Sequence, residues 1–236
     1  MGQAGGSVAA LGGITADQAS YARADGALLG LLSRCLLRPS AALAVELRAG
    51  ILPSTLRSLV GACSMPEMVD ALDGIDEQAR LLRAVSEDEA RLLLEIEYNR
   101  LFVGPGEVLA PPYESYYESS RASAGRGWLR TQAEREVSRA YAESGFALSE
   151  DLVELPDHVA VELEFLALLA GREADAWDAG NEASALALQV CAADFIVQHL
   201  GTWIESCGAL VAPAARQPFY AAIFLLAGAT IAGPVP

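Results

Sequence analysis

Asp157, His158 and Glu162 form the group of titratable residues whose spacing most resembles a chemical site. His158 and Glu162 are four positions apart and would share one face of a helix. The motif D-H-x-x-x-E is weaker than the zinc motif H-E-x-x-H, because it supplies one imidazole where such sites use at least two. His199 is the only other histidine that could be recruited. In the alternative interpretation, Asp157 satisfies free N–H groups at the start of a helix and His158 forms a local hydrogen bond.

The rest of the chain has no pattern of a catalytic centre. No serine nucleophile elbow, glycine-rich phosphate loop or Cys/His pair is discernible. The Gly104-Pro105-Gly106 sequence is too short and too interrupted by proline to be a P-loop. These residues form no recognisable nucleotide site, and guanine nucleotide binding stays open. We therefore expect no catalytic residue, no metal and no cofactor. The alternative is a metal-dependent hydrolase that uses Asp157, His158 and Glu162, with His199 recruited.

Residues 97–118 form a second unusual stretch, E-Y-N-R-L-F-V-G-P-G-E-V-L-A-P-P-Y-E-S-Y-Y-E. It starts as the end of an amphipathic helix and breaks at Gly104. Pro111 and Pro112 restrict the backbone, so they predict a stiff, extended connector. An ordered loop that carries aromatic side chains on a helical scaffold is typical of a functional surface. The tyrosines that this loop is expected to present among carboxylates are Tyr113, Tyr116 and Tyr117.

Both stretches resemble the signatures of the TorD/DmsD/NarJ family, the cytoplasmic chaperones of molybdoenzymes. In that family a helix ending in Y-x-R-L-F is followed by a G-P-x-x-x-x-A-P-P-aromatic-x-S loop, and a P-x-D-H-like turn opens a later helix. Here the loop is residues 104–113, which we call the signature loop, and the turn is residues 155–158, L-P-D-H, which we call the proline corner. Gln198 to Trp203 and Phe219-Tyr220 extend the resemblance more weakly.

The resemblance implies a system-specific cytoplasmic chaperone that is not an enzyme. It would bind the twin-arginine leader and/or the apo-form of a molybdopterin oxidoreductase subunit, assist cofactor insertion and delay export. Paired arginines need carboxylates that accept guanidinium groups, and the apolar segment behind them needs an apolar groove. Glu118 and Glu154 are further candidate acids. The expected peptide-binding residues are Tyr98, Leu101, Phe102, Pro112, Tyr113, Glu114, Asp157, His158 and Glu162.

Three expectations refine this hypothesis. Leu101 and Phe102 lie on a helical stripe that must bury something, so they are also core candidates. Arg100 is a candidate anchor for a carboxylate instead of a contact with the ligand. The signature loop and the proline corner are expected to face a common cleft, apolar on one wall and anionic on the other.

The composition limits the class of partner. The chain has 236 residues, 31 acidic and 16 basic, and its formal charge is −15. Such a charge repels nucleic acid and anionic membrane surfaces and favours cationic partners. The four cysteines form no C-x-x-C pair, which indicates reduced and mostly buried thiols. No uninterrupted apolar run appears long enough to span a bilayer, and residues 221–232 come nearest, so stable membrane insertion is not expected.

Helical periodicity runs through the chain and strand-like alternation is absent, which predicts an all-α fold of roughly ten helices, similar to TorD. We expect a flexible tail over residues 1–13 and a single helical domain over residues 14–236. Capping boxes at Thr15 and Ser86 predict helix starts, Gly74 predicts a helix end, and Gly171 predicts an end or a bend. Other predicted boundaries are a short helix capped by Ser40 and ended by Gly50, an end near Ala62, a start at Ser64, a helix from Trp128 to about Ser144, and a last helix from about Ala214 to Ala227. The helix after Pro156 is apolar on nearly all sides, so it should lie centrally.

The partner and the oligomeric state stay open. The expected partner is a molybdoenzyme catalytic subunit or its signal peptide, and the chaperone itself could be a monomer or a homodimer. A third possibility is an all-α interaction module without any link to redox enzymes.

Overall fold

The computed structural model describes residues 4–61, 65–123, 125–149 and 153–233, and only the backbone for residues 4–15. Within these ranges the chain is all-helical, as predicted, with eleven α-helices and no β-strand. A π-helical turn, Asn99–Val103, follows α5, and a 3-10 turn, Leu200–Thr202, separates α9 from α10. The helices are α1 (Ala4–Leu36), α2 (Ala41–Ala49), α3 (Ile51–Val60), α4 (Pro66–Arg83), α5 (Glu87–Tyr98), α6 (Glu114–Ser123), α7 (Gln132–Glu143), α8 (Val159–Asp178), α9 (Glu182–Gln198), α10 (Ile204–Ala214) and α11 (Pro218–Ala232).

The helix α8 lies at the centre of the molecule and packs against both α1 and α9. Its buried residues, among them Val159, Val161 and Leu163, occupy more than one face of the helix. The Ser33 hydroxyl of α1 donates a hydrogen bond to the Ala160 carbonyl oxygen, 2.7 Å away, at the first turn of α8. The central position that the sequence predicted for this helix is confirmed. It fixes the proline corner, which leads into α8, inside the fold.

Several predicted caps are confirmed. The Ser40 side chain accepts a hydrogen bond from the Leu43 N–H at the start of α2, and Gly50 ends that helix in the left-handed region with φ of 80°. The Ser86 side chain accepts from the Glu89 N–H at the start of α5. This helix delivers the signature loop, so its cap helps to set where the loop begins.

The prediction that a helix ends at Gly74 is wrong, because α4 continues to Arg83. A Cβ atom at Gly74 would lie 2.9 Å from the Cβ of Ala222 in α11. The glycine therefore permits the close approach of two helices instead of terminating one. The side-chain amide of Gln78 donates to the Gln217 side-chain oxygen, 2.9 Å away, so α4 and α11 run antiparallel.

Other boundaries also differ from the prediction. The helix α1 begins at Ala4 instead of at the Thr15 capping box, because alanines and leucine continue the helix towards the N-terminus. The flexibility expected for residues 1–13 and the domain boundary at residue 14 stay predictions. The helix α8 passes through Gly171 to Asp178, since one exposed glycine costs only about 1 kcal/mol in a long helix. The predicted helix end near Ala62 and the predicted helix start at Ser64 fall outside the described residues.

The C-terminal region contains two helices where the sequence predicted one from about Ala214 to Ala227. The helix α10 ends at Ala214, and α11 begins at Pro218, where proline suits a first turn. Phe219 and Tyr220, at the start of α11, are fully buried. The predicted helix start at Trp128 is likewise wrong, because α7 begins at Gln132 after a Thr131 cap.

The described cysteines agree with the prediction of reduced thiols. Cys35, Cys191 and Cys207 are free, and Cys35 and Cys207 are buried, which raises the pKa of both thiols to about 12. Cys63 lies outside the described residues.

The membrane-span prediction needs a correction. Among the described residues one stretch, Glu182–Ala214, is long and apolar enough to cross a membrane by length and composition, and a second candidate arises if α1 and α2, bent by 116°, count as one span. This stretch contains no uninterrupted apolar run of sufficient length, because Asp194 divides it, but its mean hydropathy is high enough for a span. Core helices of soluble proteins satisfy the same criterion.

Candidate functional site

The signature loop and the proline corner lie side by side and are joined by backbone hydrogen bonds. Tyr113 and His158 form an isolated antiparallel bridge. The Glu114 N–H donates to the Asp157 carbonyl oxygen at 3.0 Å, and the Val159 N–H donates to the Pro112 carbonyl oxygen at 2.9 Å. The fold therefore brings together the two segments that the sequence singled out. They pack directly on each other, so the predicted common cleft does not run between them.

Asp157 and His158 cap two different helices from this contact. The Asp157 Oδ2 atom accepts a hydrogen bond from the Ser115 N–H, 2.9 Å away, at the start of α6. The His158 Nδ1 atom accepts from the Ala160 N–H, 3.1 Å away, at the start of α8. Burial lowers the pKa of His158 to about 4, which keeps the imidazole neutral and Nδ1 an acceptor at neutral pH. The capping interpretation is thus correct, although Asp157 caps α6 and not α8.

Two further carboxyl groups, Glu114 and Glu162, are buried behind the same contact. The Glu114 carboxylate lies 3.2 Å from the His199 Nδ1 atom, and the Trp203 Nε1–H donates to Glu162 Oε2 at 3.3 Å. Burial raises the pKa of both carboxyl groups. At Glu162 the nearby carboxylates of Glu114 and Asp157 raise the pKa further, whereas at Glu114 the contact with His199 partly offsets the rise. One oxygen of Asp157 and one of Glu162 have no hydrogen-bond partner among the described residues.

The predicted aromatic wall is part of the hydrophobic core. Tyr98, Leu101 and Phe102 are buried, and the rings of Tyr98 and Phe102 pack on Tyr220 with centroid separations of 5.9 and 5.4 Å. The core role expected for Leu101 and Phe102 is therefore confirmed.

Arg100 anchors the Glu97 carboxylate, which agrees with the anchoring role expected for it. Its guanidinium donates to both oxygens of Glu97 and to the Ala214 carbonyl oxygen, and Glu97 also accepts from the Arg216 N–H at 2.6 Å. These bonds tie the end of α5 to the turn between α10 and α11.

Eight of the nine predicted peptide-binding residues are buried, and Tyr113 is half-buried. The Tyr113 hydroxyl donates to Glu154 Oε2 at 2.8 Å, and burial together with this carboxylate raises the pKa of the phenol. Tyr116 and Tyr117 belong to α6 instead of an extended loop, and Tyr117 stacks on Trp203 with centroids 5.4 Å apart. The role of the nine residues in peptide binding stays a prediction.

An apolar groove lies beside the signature loop, and its most exposed residues were not predicted. We call it the signature groove; its volume is about 410 Å³. The Trp128 side chain is 67% exposed, and Leu129 next to it is also exposed. The groove is lined by Phe102, Glu107, Val108, Pro111, Tyr113, Tyr116, Arg126, Gly127, Trp128 and Leu129.

The backbone around Gly127 holds Trp128 in place. A Cβ atom at Gly127 would overlap the Tyr116 carbonyl oxygen, so only glycine allows this approach of the segment to α6. The Trp128 N–H donates to the Ser119 hydroxyl oxygen at 2.7 Å, and that hydroxyl lies 3.1 Å from the Trp128 carbonyl oxygen. The pattern G-R-G-W-L, an aromatic and a leucine after two glycines, was the signal in the sequence that could have identified this wall.

The described residues contain no group of three or more His, Cys, Asp or Glu side chains arranged to hold a metal ion. In the D-H-x-x-x-E motif, His158 Nδ1 and Asp157 Oδ2 are both occupied as helix caps. This geometry gives no support to the alternative of a metal-dependent hydrolase.

Comparison with known proteins identifies the family. The pattern of the family described as nitrate reductase delta subunit matches residues 68–209. The chain is 36% identical over 115 residues to the chlorate reductase assembly chaperone protein of Ideonella dechloratans, covering 48% of this chain and 55% of the relative. It is 31% identical over 126 residues to the chaperone protein TorD of Vibrio cholerae serotype O1, covering 53% of each chain.

A third relative is the selenate reductase assembly chaperone protein of Thauera selenatis, 36% identical over 112 residues, which are 47% of this chain and 53% of the relative. The chain thus matches about half the length of these curated relatives. The names of the relatives describe assembly chaperones and not enzymes. The resemblance found from the sequence is confirmed, and the chain belongs to the nitrate reductase delta subunit family, the family of NarJ and TorD.

Proposed function

We propose that this protein is a cytoplasmic assembly chaperone for a molybdopterin oxidoreductase, and that it binds the twin-arginine leader and/or the apo-form of the catalytic subunit. The observation that carries the proposal is the signature groove, an exposed apolar surface next to the segment that bears the family's signature. The names of the relatives, chaperones of chlorate reductase and selenate reductase, support the class of client. The mechanism is binding without bond chemistry: the chaperone would assist cofactor insertion and delay export by covering the leader.

The apolar segment of the leader would lie against Trp128, Leu129 and Val108. Removing apolar surface from water favours association, and tryptophans often dominate such interfaces. Phe102 and Tyr113, two of the predicted peptide-binding residues, line the inner wall of this groove. The other seven would act indirectly, because they hold the loop that forms the wall.

The paired arginines of the leader would be bound by acids at the rim. Glu107 lines the groove and is exposed, Glu118 is exposed on α6, and Glu154 is half-exposed beside Tyr113. A guanidinium group binds a carboxylate through two parallel hydrogen bonds, which a lysine ammonium does not reproduce. Glu114, Asp157 and Glu162 are buried, so they would not reach the leader while the proline corner is packed as it is.

Isothermal titration calorimetry with matched leader peptides tests the proposal. The peptides carry Arg-Arg, Lys-Lys or Gln-Gln before the same apolar segment. We expect Arg-Arg to bind most tightly and Lys-Lys at least about threefold more weakly, because bidentate pairing is lost. The combined variant Glu107→Gln, Glu118→Gln and Glu154→Gln should bind all three peptides alike. Equal affinity of the wild type for Arg-Arg and Lys-Lys, or no binding, would remove the claim of arginine recognition.

A further inference from the structure

A pocket separate from the signature groove opens between the end of α7 and α9, and we call it the α9 pocket. Its volume is about 400 Å³, and it shares no lining residue with the signature groove. The Ser144 hydroxyl, directly after α7, lies 3.4 Å from the Cys191 thiol of α9, so this contact joins the two walls. The chemistry of the lining indicates which ligand the pocket fits.

Three buried rings line the inner end of the α9 pocket. Phe165 of α8 and Phe195 of α9 have ring centroids 4.7 Å apart, and the ring centroid of His199 lies 4.9 Å from that of Phe195. All three side chains are buried, although each lines the pocket. Aromatic rings attract cations and pack against alkyl chains, so this floor fits a ligand that combines positive charge with apolar carbon.

The imidazole of His199 offers an unpaired nitrogen to the pocket. His199 is 7% exposed, and its Nδ1 atom lies 3.2 Å from the Glu114 carboxylate, which does not line the pocket. The opposite edge of the ring, which carries Nε2, therefore faces the pocket, and Nε2 has no hydrogen-bond partner among the described residues. Because a carboxylate accepts hydrogen bonds, Nδ1 carries the hydrogen, and Nε2 of the neutral ring is an acceptor. A ligand at this end must donate a hydrogen bond.

Two exposed carboxylates stand at the rim of the α9 pocket, one on each wall. Glu143 is the last residue of α7, and Asp194 lies on α9. Neither has an ion-pair partner within the described part of the chain, and no arginine lines the pocket. Arg172, which reaches the same turn, donates to the carbonyl oxygens of Ser144 and Gly145 instead. The rim is therefore negatively charged without compensation, and it is complementary to a cation.

We propose that the α9 pocket binds a small alkyl diamine. The inner ammonium group donates to Nε2 of His199 beside the aromatic rings, and the alkyl chain packs on Ala187 and Val190. The outer ammonium group binds Glu143 and Asp194, because ammonium groups form strong, charge-assisted hydrogen bonds with carboxylates. A flexible chain with an ammonium group at each end is chemically unlike the leader, whose cationic groups are guanidinium groups next to an apolar segment.

The same ammonium chemistry occurs in the lysine side chains of proteins, which carry one ammonium group where a diamine carries two. The free diamine fits better, because the pocket has acceptors at both ends, Nε2 of His199 inside and two carboxylates at the rim. The proposal does not depend on leader recognition, since the pocket and the signature groove have no residue in common.

A pair of charge variants tests the rim of the α9 pocket. The combined variant Glu143→Gln and Asp194→Asn removes both rim charges. Glu136→Gln combined with Glu182→Gln is its matched control, because these exposed acids lie on the same two helices and do not line the pocket. Both combined variants change the net charge of the protein equally, so the comparison separates the rim from attraction by the whole molecule.

A pair of size variants tests the interior of the pocket. Ala187 is exposed on α9 and lines the pocket, so Ala187→Phe places a bulky side chain there. Ala183, one helical turn earlier, is also exposed but does not line the pocket, and it gives the matched control Ala183→Phe. Neither change places a large side chain in the hydrophobic core, since both alanines are exposed.

Isothermal titration calorimetry at constant ionic strength measures the affinities. The ligands are the diamine cadaverine, pentylamine, an acetylated lysine amide and uncharged pentanediol. We expect cadaverine to bind the wild type with a Kd of about 1 mM or lower, pentylamine and the lysine amide at least about threefold more weakly, and pentanediol not at all. The rim variant and Ala187→Phe should each weaken cadaverine binding at least about fivefold, and the two controls should leave it unchanged.

Nuclear magnetic resonance shows where the ligand binds. The chain has two histidines, His158 and His199, so its imidazole signals are few and separable. Cadaverine should shift the ring signals of His199. It should leave those of His158 unchanged, because His158 is fully buried and does not line the pocket. Saturating cadaverine should also leave the affinity for the Arg-Arg leader peptide unchanged, which keeps this test distinct from that of leader binding.

Several results would overturn the inference. They are no binding of cadaverine, full binding by Ala187→Phe, or His199 signals that do not move. Equal weakening by the rim variant and its control would mean that cadaverine is attracted by net charge alone. Binding of the lysine amide as tightly as cadaverine would reject a free diamine and assign the pocket to lysine side chains of a partner protein. Loss of leader binding in saturating cadaverine would contradict the separation of the two sites.

Discussion

The proline corner and the signature groove adjoin each other but differ in almost every physical property. Asp157 and His158 of the corner are fully buried, and each uses a side-chain atom as a helix cap. The groove is open and is dominated by the exposed indole of Trp128. The most recognisable residues of the sequence therefore build a buried platform, and the exposed apolar surface lies next to it.

The largest expected effect on the free energy of unfolding concerns Trp203, which contrasts with Trp128 of the signature groove. Trp203 is fully buried, stacks on Tyr117 and donates to Glu162, whereas Trp128 is mostly exposed. Trp203→Ala should lower the free energy of unfolding by about 3–5 kcal/mol, because it leaves a large cavity. Chemical denaturation followed by circular dichroism measures the loss. A loss below about 1 kcal/mol would contradict the tight packing behind the proline corner.

The second prediction concerns the buried acid Glu162. Burial raises the pKa of Glu162 in the folded protein above its value in the unfolded chain. The free energy of unfolding therefore falls as the pH rises from the unfolded-state pKa through the folded-state pKa, because the carboxyl group ionises more easily in the unfolded chain. Glu162→Gln keeps an acceptor for Trp203 and removes the charge. It should raise the free energy of unfolding at pH 8 by roughly 1–3 kcal/mol and reduce the decline between pH 4.5 and 8. Denaturation across that pH range is the measurement.

Glu164 provides the control for this prediction, because it lies on the same helix and is exposed. Glu164→Gln should change stability by less than about 0.5 kcal/mol at any pH. An identical pH profile for wild type and Glu162→Gln would contradict a raised folded-state pKa, and with it the burial of Glu162.

The third prediction concerns Trp128. Trp128→Ala should leave the free energy of unfolding within about 0.5 kcal/mol of the wild type, since little of the side chain is buried. It should weaken binding of the Arg-Arg leader peptide by about tenfold or more, the typical cost of removing an aromatic anchor. Tyr21, 65% exposed on α1, gives the control Tyr21→Ala, which should bind normally. Equal weakening by both variants would indicate nonspecific apolar binding.

The smallest effect is expected at the Tyr113 hydroxyl, where the two regions meet. Tyr113→Phe removes the hydrogen bond to Glu154 and should cost about 0.5–1.5 kcal/mol of stability. The released Glu154 carboxylate can then accept a guanidinium, so affinity for the Arg-Arg peptide should be retained or increase. Denaturation and calorimetry on the same preparation measure both quantities. A clear loss of affinity would show that the hydroxyl itself contacts the leader.

Local signals in the sequence predicted much of the fold. The caps at Ser40 and Ser86, the break at Gly104 and the central position of α8 all follow from residues within one or two helical turns. The helix α6 was missed, because its polar sequence E-S-Y-Y-E-S-S-R-A-S shows little apolar periodicity. The role of Gly74 was predicted wrongly, because the residue that requires a glycine there, Ala222, belongs to a different helix.

The candidate site was predictable only in part, because its burial and exposure depend on contacts between segments that are distant in the sequence. Motif spacing indicated that the signature loop and the proline corner matter together, and they are in contact. Whether an acid such as Glu162 is exposed or buried depends on α10 and its neighbouring turn, which bring Trp203 over it. The exposed position of Trp128 depends on the approach of Gly127 to Tyr116 in α6; the local pattern G-R-G-W-L indicates an aromatic residue after glycines but not this contact.

Hydrogen–deuterium exchange with and without the Arg-Arg leader peptide tests the central claim most directly. We expect the peptide to slow exchange at residues 103–109 and 126–131, which border the signature groove. The buried turn at residues 157–163 should exchange slowly in both states. Protection that appears only outside these border segments, or faster exchange of the turn when the peptide is added, would contradict the account, because the leader would then bind elsewhere or open the proline corner.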